Sequence, residues 1–249
     1  MARYFLDTNV LEGLTFLHDA WRDEAERLFD TRNSLFIGDG VLFEYCNEED
    51  EKIAHTDLDW DTEAGRFGVK LSEVRLGLFS LEGRLYSYDD DELDLEVLVE
   101  EFLKATGVTD GTDPALINEY IRPRIRTFLK EEIDGREITS EVATEIITSL
   151  CYTIQDHARE QREEIQKRVT VKQIDDLTRR EYFDELSYIR GFIDTYILSG
   201  VAHLTKQNFL HKIVSSDNSH MYSKRDQLRA DYGIVVVFIK DEFARPPKL

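Results

Sequence analysis

Four carboxylic acids carry the chemistry this sequence offers: Asp7, Glu44, Asp194 and Asp217. Asp7 ends the apolar stretch Tyr4-Phe5-Leu6 and is followed by Thr8 and Asn9. Asp217 repeats the arrangement at the end of Ile213-Val214-Ser215-Ser216. A short apolar run closed by an acid reads as a buried strand with a carboxylate on its last pleat. In an open parallel sheet, ligands bind outside the carboxyl ends of the strands, so such an acid points into a site rather than into the core. Glu44 lies one turn into a helix that follows a second apolar strand, and Asp194 opens a helix after the break at Gly191. If strands one and four are neighbours at the topological switch point, all four acids face one crevice. Crowded carboxylates raise one another's pKa and cannot all stay ionised without a cation. A hard divalent ion with oxygen ligands, Mg2+ or Mn2+, is the natural solution. Such a centre polarises a phosphodiester and activates water for in-line attack. Thr8, Asn9 and Ser215 would hold the carboxylates in place.

Plainer roles stand beside these. The plainer role of Asp194 is a helix-start cap, of Asp7 a turn residue and of Glu44 a solvated helix residue, and the site reading outweighs each. The repeated placement of Asp7 and Asp217 argues against the turn. His203 and His220 read as core or surface histidines before substrate contacts. Ser216 has no oriented base nearby in the sequence and is no nucleophile.

The elements that must position these acids follow an alternating order. Strand Tyr4–Leu6 leads to a helix over Leu14–Arg32, then strand Ser34–Gly38 and a helix from Asp39 to Cys46. Strand, helix, strand, helix predicts parallel pairing with helices on both faces. Glu48–Asp61 is acid-rich loop. Its Asp57, Asp59 and Asp61 imitate a calcium loop, but Thr62 and Gly68 stand where the sharp-turn Gly and the bidentate Glu belong. A helix over Glu63–Glu82 leads to an expected third strand, Arg84–Tyr88, and the acidic run Asp89–Asp94 opens a helix to about Ala105. After the break at Gly107–Gly111, Asp113 with Pro114 starts a further helix. Thr139–Val169 is a long helical pattern with the seam Val142, Ile146, Leu150, Ile154 and Ala158. A helix over Ile174–Tyr188 follows, with Leu177, Phe183 and Leu186 on one side. Lys212–Asp217 and Gly233–Ile239 are the last two strands, and the tail from Arg245 is irregular.

The charge balance is strongly acidic: 51 Asp plus Glu against 31 Lys plus Arg, a net charge of -20 and a pI near 4.7. Such a surface repels nucleic acid, so any contact with it must run through local basic patches or bridging cations. Arg122, Arg124, Arg126 and Lys130, with Arg159, Arg162, Lys167 and Arg168, make either an RNA-facing stripe or salt-bridged helix faces. The interleaved Glu131, Glu132, Glu160, Glu163 and Glu164 favour the second. Cys46 and Cys151 are too few and too far apart for a disulfide framework or a zinc site and read as buried thiols in a reducing compartment. No signal peptide opens the chain and no apolar run approaches a membrane span, so the expectation is a cytoplasmic protein with no membrane contact. A haloacid-dehalogenase-type phosphatase would need a carboxylate where Asn9 stands, and the Gly-rich and His-Glu-x-x-His signatures are absent.

The sequence resembles the PIN domain, the metal-dependent ribonuclease fold of toxin–antitoxin toxins and RNA-processing nucleases. The matching pieces are Phe5-Leu6-Asp7-Thr8-Asn9-Val10-Leu11, Glu44 in Val41-Leu42-Phe43-Glu44, Asp194 in the stretch Asp194–Leu204, and Ile213-Val214-Ser215-Ser216-Asp217. Tyr232-Gly233-Ile234-Val235-Val236-Val237 resembles the family's last strand. The resemblance covers residues 1–106 and 187–249 as a nuclease core, and 107–186 reads as a helical insertion. It implies an α/β fold, three layers with a mostly parallel five-stranded sheet, and Asp7, Glu44, Asp194 and Asp217 as the metal-binding acids. It further implies an RNA substrate, an antitoxin or other protein partner, and a homodimer. A non-catalytic PIN-fold scaffold whose insert binds a protein or RNA, and a structure-specific DNA nuclease, remain the alternatives.

Overall fold

A computed structural model describes residues 1–47, 58–89, 92–110 and 112–244. The chain divides into two compact units, Met1–Leu14 with Asp23–Gly68 and Arg162–Leu249, and Thr15–Arg22 with Val69–Gln161.

The first unit is built on a five-stranded, all-parallel sheet: β1 (Arg3–Leu6), β2 (Ser34–Gly38), β3 (Val169–Lys172), β4 (Lys212–Ser215) and β5 (Val235–Phe238), in the order β3-β2-β1-β4-β5. β1 pairs with β2 through Tyr4 opposite Leu35, and with β4 through Leu6 opposite Val214. Successive strands run outward in opposite directions from β1. Since parallel crossovers are right-handed, that reversal puts the connecting helices on both faces. The result is the three-layer α/β/α arrangement. The helices are α1 (Thr8–Thr15), α2 (Arg22–Asp30), α3 (Asp39–Leu42), the start of α4 (Arg66–Leu85), the end of α8 (Ser140–Arg168), α9 (Asp176–Phe183), α10 (Phe192–Lys206), α11 (Arg225–Tyr232) and α12 (Ile239–Phe243). Phe5, Leu6, Ile37, Ile213 and Val214 are almost wholly inaccessible, as strands covered on both faces must be.

The second unit is helical. It holds most of α4, α5 (Leu95–Ala105), α6 (Pro114–Leu116) with a π turn at Ile117–Ile121, α7 (Arg122–Ile133) and the first part of α8. Leu78, Leu81, Leu98, Phe102, Ile125, Leu129, Ile147 and Leu150 form one buried cluster. Two starts are set by caps visible in the sequence. The Asp94 carboxylate accepts from Val97 N–H at 2.8 Å, and that of Asp113 from Ala115 N–H at 2.9 Å. Both cysteines are free and buried. Among the described residues no helix is long and apolar enough to cross a membrane.

Several expectations are corrected. Arg84–Tyr88 is the end of α4 and a turn, because Leu81 and Leu85 extend the buried seam of that helix while Tyr86 is exposed. The third strand is Val169–Lys172, which α8 enters directly at the end of the long helical pattern. The segment 69–106 shares its core with α7 and α8, and 162–186 supplies β3 and α9 to the sheet unit. The second unit therefore differs from the expected 107–186 insertion. The helix over Leu14–Arg32 is two helices, α1 and α2, and the Asp19 carboxylate accepts from Trp21 N–H in the turn between them. The helix over Ile174–Tyr188 shrinks to Asp176–Phe183, and Leu177 faces solvent. Most of the acidic loop, including Asp57, part of Asp89–Asp94, and the tail from Arg245 lie outside the described residues.

Candidate functional site

β1 ends at Leu6, and Asp7 continues its pairing by donating its N–H to the Val214 carbonyl of β4 at 3.0 Å. The switch point expected between these strands is thus where Asp7 stands. α1 begins at the next residue, and Thr8 N–H donates to Asp7 Oδ1 at 2.9 Å. Asp7 Oδ2 accepts from Asn9 Nδ2 at 2.8 Å and from Ser215 Oγ at 2.7 Å. Asn9 also binds across the junction, its Oδ1 accepting Ser216 N–H at 2.9 Å. Asp217 N–H donates to Ser215 Oγ at 3.0 Å. One hydrogen-bonded net therefore ties Asp7, Asn9, Ser215 and the Asp217 backbone.

Glu44 arrives by a different device. After β2, the short helix α3 widens into a π turn over Phe43–Asn47, all five residues of it buried. Single π turns inside helices recur at functional sites, where the extra residue re-aims side chains. Here the wide turn carries Glu44, and Thr8 Oγ1 donates to Glu44 Oε2. Asp194 occupies the third position of α10, behind Gly191, whose φ of 98° is a conformation that glycine tolerates and a side chain does not.

The electrostatics join the four acids. Burial, then the negative charges of Asp194 and Glu44, push the Asp7 carboxyl up to about 7, against the hydrogen bonds from Ser215 and Thr8. Burial also raises Glu44, with Asp194 and Glu12 adding to the rise and Arg66 and Thr8 opposing it. Asp194 is raised by burial and by Asp217, and relieved by His220 and Arg66. Asp217 differs: partial burial works against ionisation, but hydrogen bonds from Ser219 and His220 hold it below the ordinary carboxylate range. His220 Nδ1 lies 2.5 Å from Asp217 Oδ2. Asp7, Glu44 and Asp194 thus act on one another, and Asp217 joins them through Asp194.

Three participants were not anticipated as part of this site. Arg66 Nη2 lies 2.5 Å from Glu44 Oε1, and its Nη1 donates to Glu12 Oε1 at 3.2 Å. Glu12 is a buried acid on α1. His220 is the third, weighed in the sequence as a core or surface histidine ahead of a substrate contact. Nothing in the local sequence marks Arg66, whose partners are 22 and 54 positions away. His203 is elsewhere, packed against Tyr182 and paired with Gln207 in the last turn of α10. Asp39 also follows a strand end, at β2, but it is committed to a buried ion pair with Arg179, which donates as well to the Tyr196 carbonyl at 2.6 Å.

The basic residues weighed as an RNA-facing stripe are largely paired. Arg122 binds Glu100, Arg126 binds Glu96, and Lys167 binds Glu164. Arg168 donates to the carbonyls of Phe29, Thr31 and Asn33.

The donor set suits a hard dication: carboxylate oxygens, at least three of them in mutual repulsion, and a buried Asp7 whose charge the protein leaves under-compensated. Among the described residues, however, no three His, Cys, Asp or Glu side chains already stand as a metal cage. Compared with known protein families, curated proteins and solved structures, the chain matches none.

Proposed function

We propose that this chain is a divalent-cation-dependent phosphodiesterase, and more particularly a PIN-like endoribonuclease. The observation that supports this reading is Asp7 beside the β1–β4 junction, pushed up to about 7 by burial and then by the negative charges of Asp194 and Glu44, with Asp217 acting on Asp194. A fold gains nothing from a buried repulsive cluster; a site that awaits Mg2+ or Mn2+ does. Bound there, the ion would polarise the phosphodiester and activate water. The chain's own contribution is positioning. Thr8, Asn9 and Ser215 fix both Asp7 oxygens, and Thr8 fixes one oxygen of Glu44. Ser219 and His220 hold Asp217 ionised.

The test is cleavage of labelled RNA with added Mn2+, comparing the wild type with Asp7→Asn and Asp217→Asn. Losing a ligand should cost more than the roughly 10–100-fold typical of its supporting residues. Mutants as active as the wild type would end the proposal. A second reading, a non-catalytic scaffold with a PIN-like fold, draws on Arg66, which partly neutralises the acids without any metal. Mn2+ titration separates the two, since a scaffold need bind none. Structured DNA offered in competition with RNA decides between the nuclease alternatives.

A further inference from the structure

In this structure both oxygens of Glu44 are engaged. Thr8 Oγ1 donates to Oε2, and the Arg66 guanidinium takes Oε1. The guanidinium bridges two acids, since its other nitrogen holds Glu12. Its placement runs against a local rule. Arg66 is the first residue of α4, and a cation at a helix N-terminus is disfavoured by the helix dipole. The acids, not the helix, hold it there. The backbone enforces the same placement: Ala64 N–H donates to the Cys46 carbonyl at 3.2 Å. A side chain at Gly65 would stand 2.6 Å from the Glu44 carbonyl oxygen. Segment 64–66 is thus pressed onto the π turn that carries Glu44. The Arg66 side chain is nevertheless 41% exposed, whereas those of Glu44 and Glu12 are 8% and 6% exposed. The arginine has room to leave; the acids do not.

We propose that Arg66 is a resident counter-cation that stands in for the metal, so that a divalent ion binds by taking Glu44 from it while Glu12 keeps the guanidinium tethered. Arg66 is then a positioning residue that sets the cation affinity of the site through Glu44, and it accounts for acids that gather without forming a ready cage. The inference rests on the cation-dependent reading given above.

The experiment is Mn2+ binding to the full chain by calorimetry or paramagnetic resonance, for wild type, Arg66→Gln and Arg66→Lys. Arg66→Gln should bind Mn2+ at least about tenfold more tightly, because a competing positive charge beside the ligands is gone. Arg66→Lys keeps a point charge but cannot bridge two carboxylates, and should fall between the other two. A wild type that binds Mn2+ with the same affinity as both variants overturns the displacement while leaving the nuclease reading intact. Failure of every form to bind Mn2+ removes the nuclease reading, and this inference with it. Should Arg66→Gln not fold, Mg2+ titration of the wild type followed by side-chain arginine NMR serves instead. The Arg66 resonance should move as the ion binds, and a stationary resonance at saturating Mg2+ refutes the exchange.

Discussion

Replacing Asp7 by Asn tests whether the acid cluster is under charge strain when no metal is bound. The Asp7 carboxyl is raised from 3.8 to about 7, mainly by burial and then by Asp194 and Glu44. A raised folded pKa means that the folded chain holds the proton more tightly than the unfolded chain. The stabilisation this provides is complete below about pH 4 and is lost as the pH climbs through about 7. The gap of about 3 units corresponds to roughly 4 kcal/mol at about 1.4 kcal/mol per unit. Asn carries no charge and escapes that cost, but it cannot accept from Thr8 N–H, Asn9 Nδ2 and Ser215 Oγ together. One or two misplaced hydrogen bonds cost about 1–3 kcal/mol. In chelator, Asp7→Asn should therefore be more stable than the wild type by about 1–3 kcal/mol at pH 8 and less stable at about pH 4. Urea unfolding of both proteins at several pH values reads this directly, and the difference between them cancels the background set by the net charge of -20. Adding Mn2+ at pH 8 should stabilise the wild type and not the mutant. A stability difference that does not change between pH 5 and pH 8 would refute the charge-strain argument.

Two further expectations concern the sheet unit. Arg179→Met leaves Asp39 buried without its guanidinium and should cost about 3–5 kcal/mol in urea, much of it recovered in the double variant with Asp39→Asn. Burial, only partly offset by Arg162, pushes the Cys46 thiol up to about 12. Native protein at pH 8 should therefore leave Cys46 unlabelled by iodoacetamide and label it fully in denaturant, as mass spectrometry of the Cys46 peptide will report.

The parts of this fold legible in the sequence are those written within a few residues. Leu6 followed by Asp7 gives a strand end and its polar exit, and Asp94 and Asp113 give helix starts, whereas the strand read as far as Asp217 stops at Ser215. What escaped has its cause elsewhere in the chain. Val169–Lys172 follows 29 helical residues with no turn residue between, and four positions of which none is buried cannot be told from another helical turn by periodicity. Arg84–Tyr88 imitates a strand because Leu85 ends the buried seam of α4, which shares its cluster with residues of α5 and α8. The π turn and Arg66 have no local signature at all, since the first needs Glu44 seated against Thr8 and the second needs Glu12 and Glu44 at once.

The misplaced strand nevertheless left β1 beside β4, as the sequence reading required, and the topology explains why. Among the described residues β3 pairs only with β2 and lies at one edge, whereas Asp7 and Ser215 meet where β1 adjoins β4. The register at that junction is written by Leu6 opposite Val214, apolar residues that can be buried on both faces only if the polar residues after them emerge together at the strand ends. Slipping β4 by one residue against β1 would exchange the faces that Ile213 and Val214 fill, spoiling the packing of both, and part Ser215 from Asp7. The hydrophobic energy that aligns these two strands therefore also seats Ser215 on Asp7.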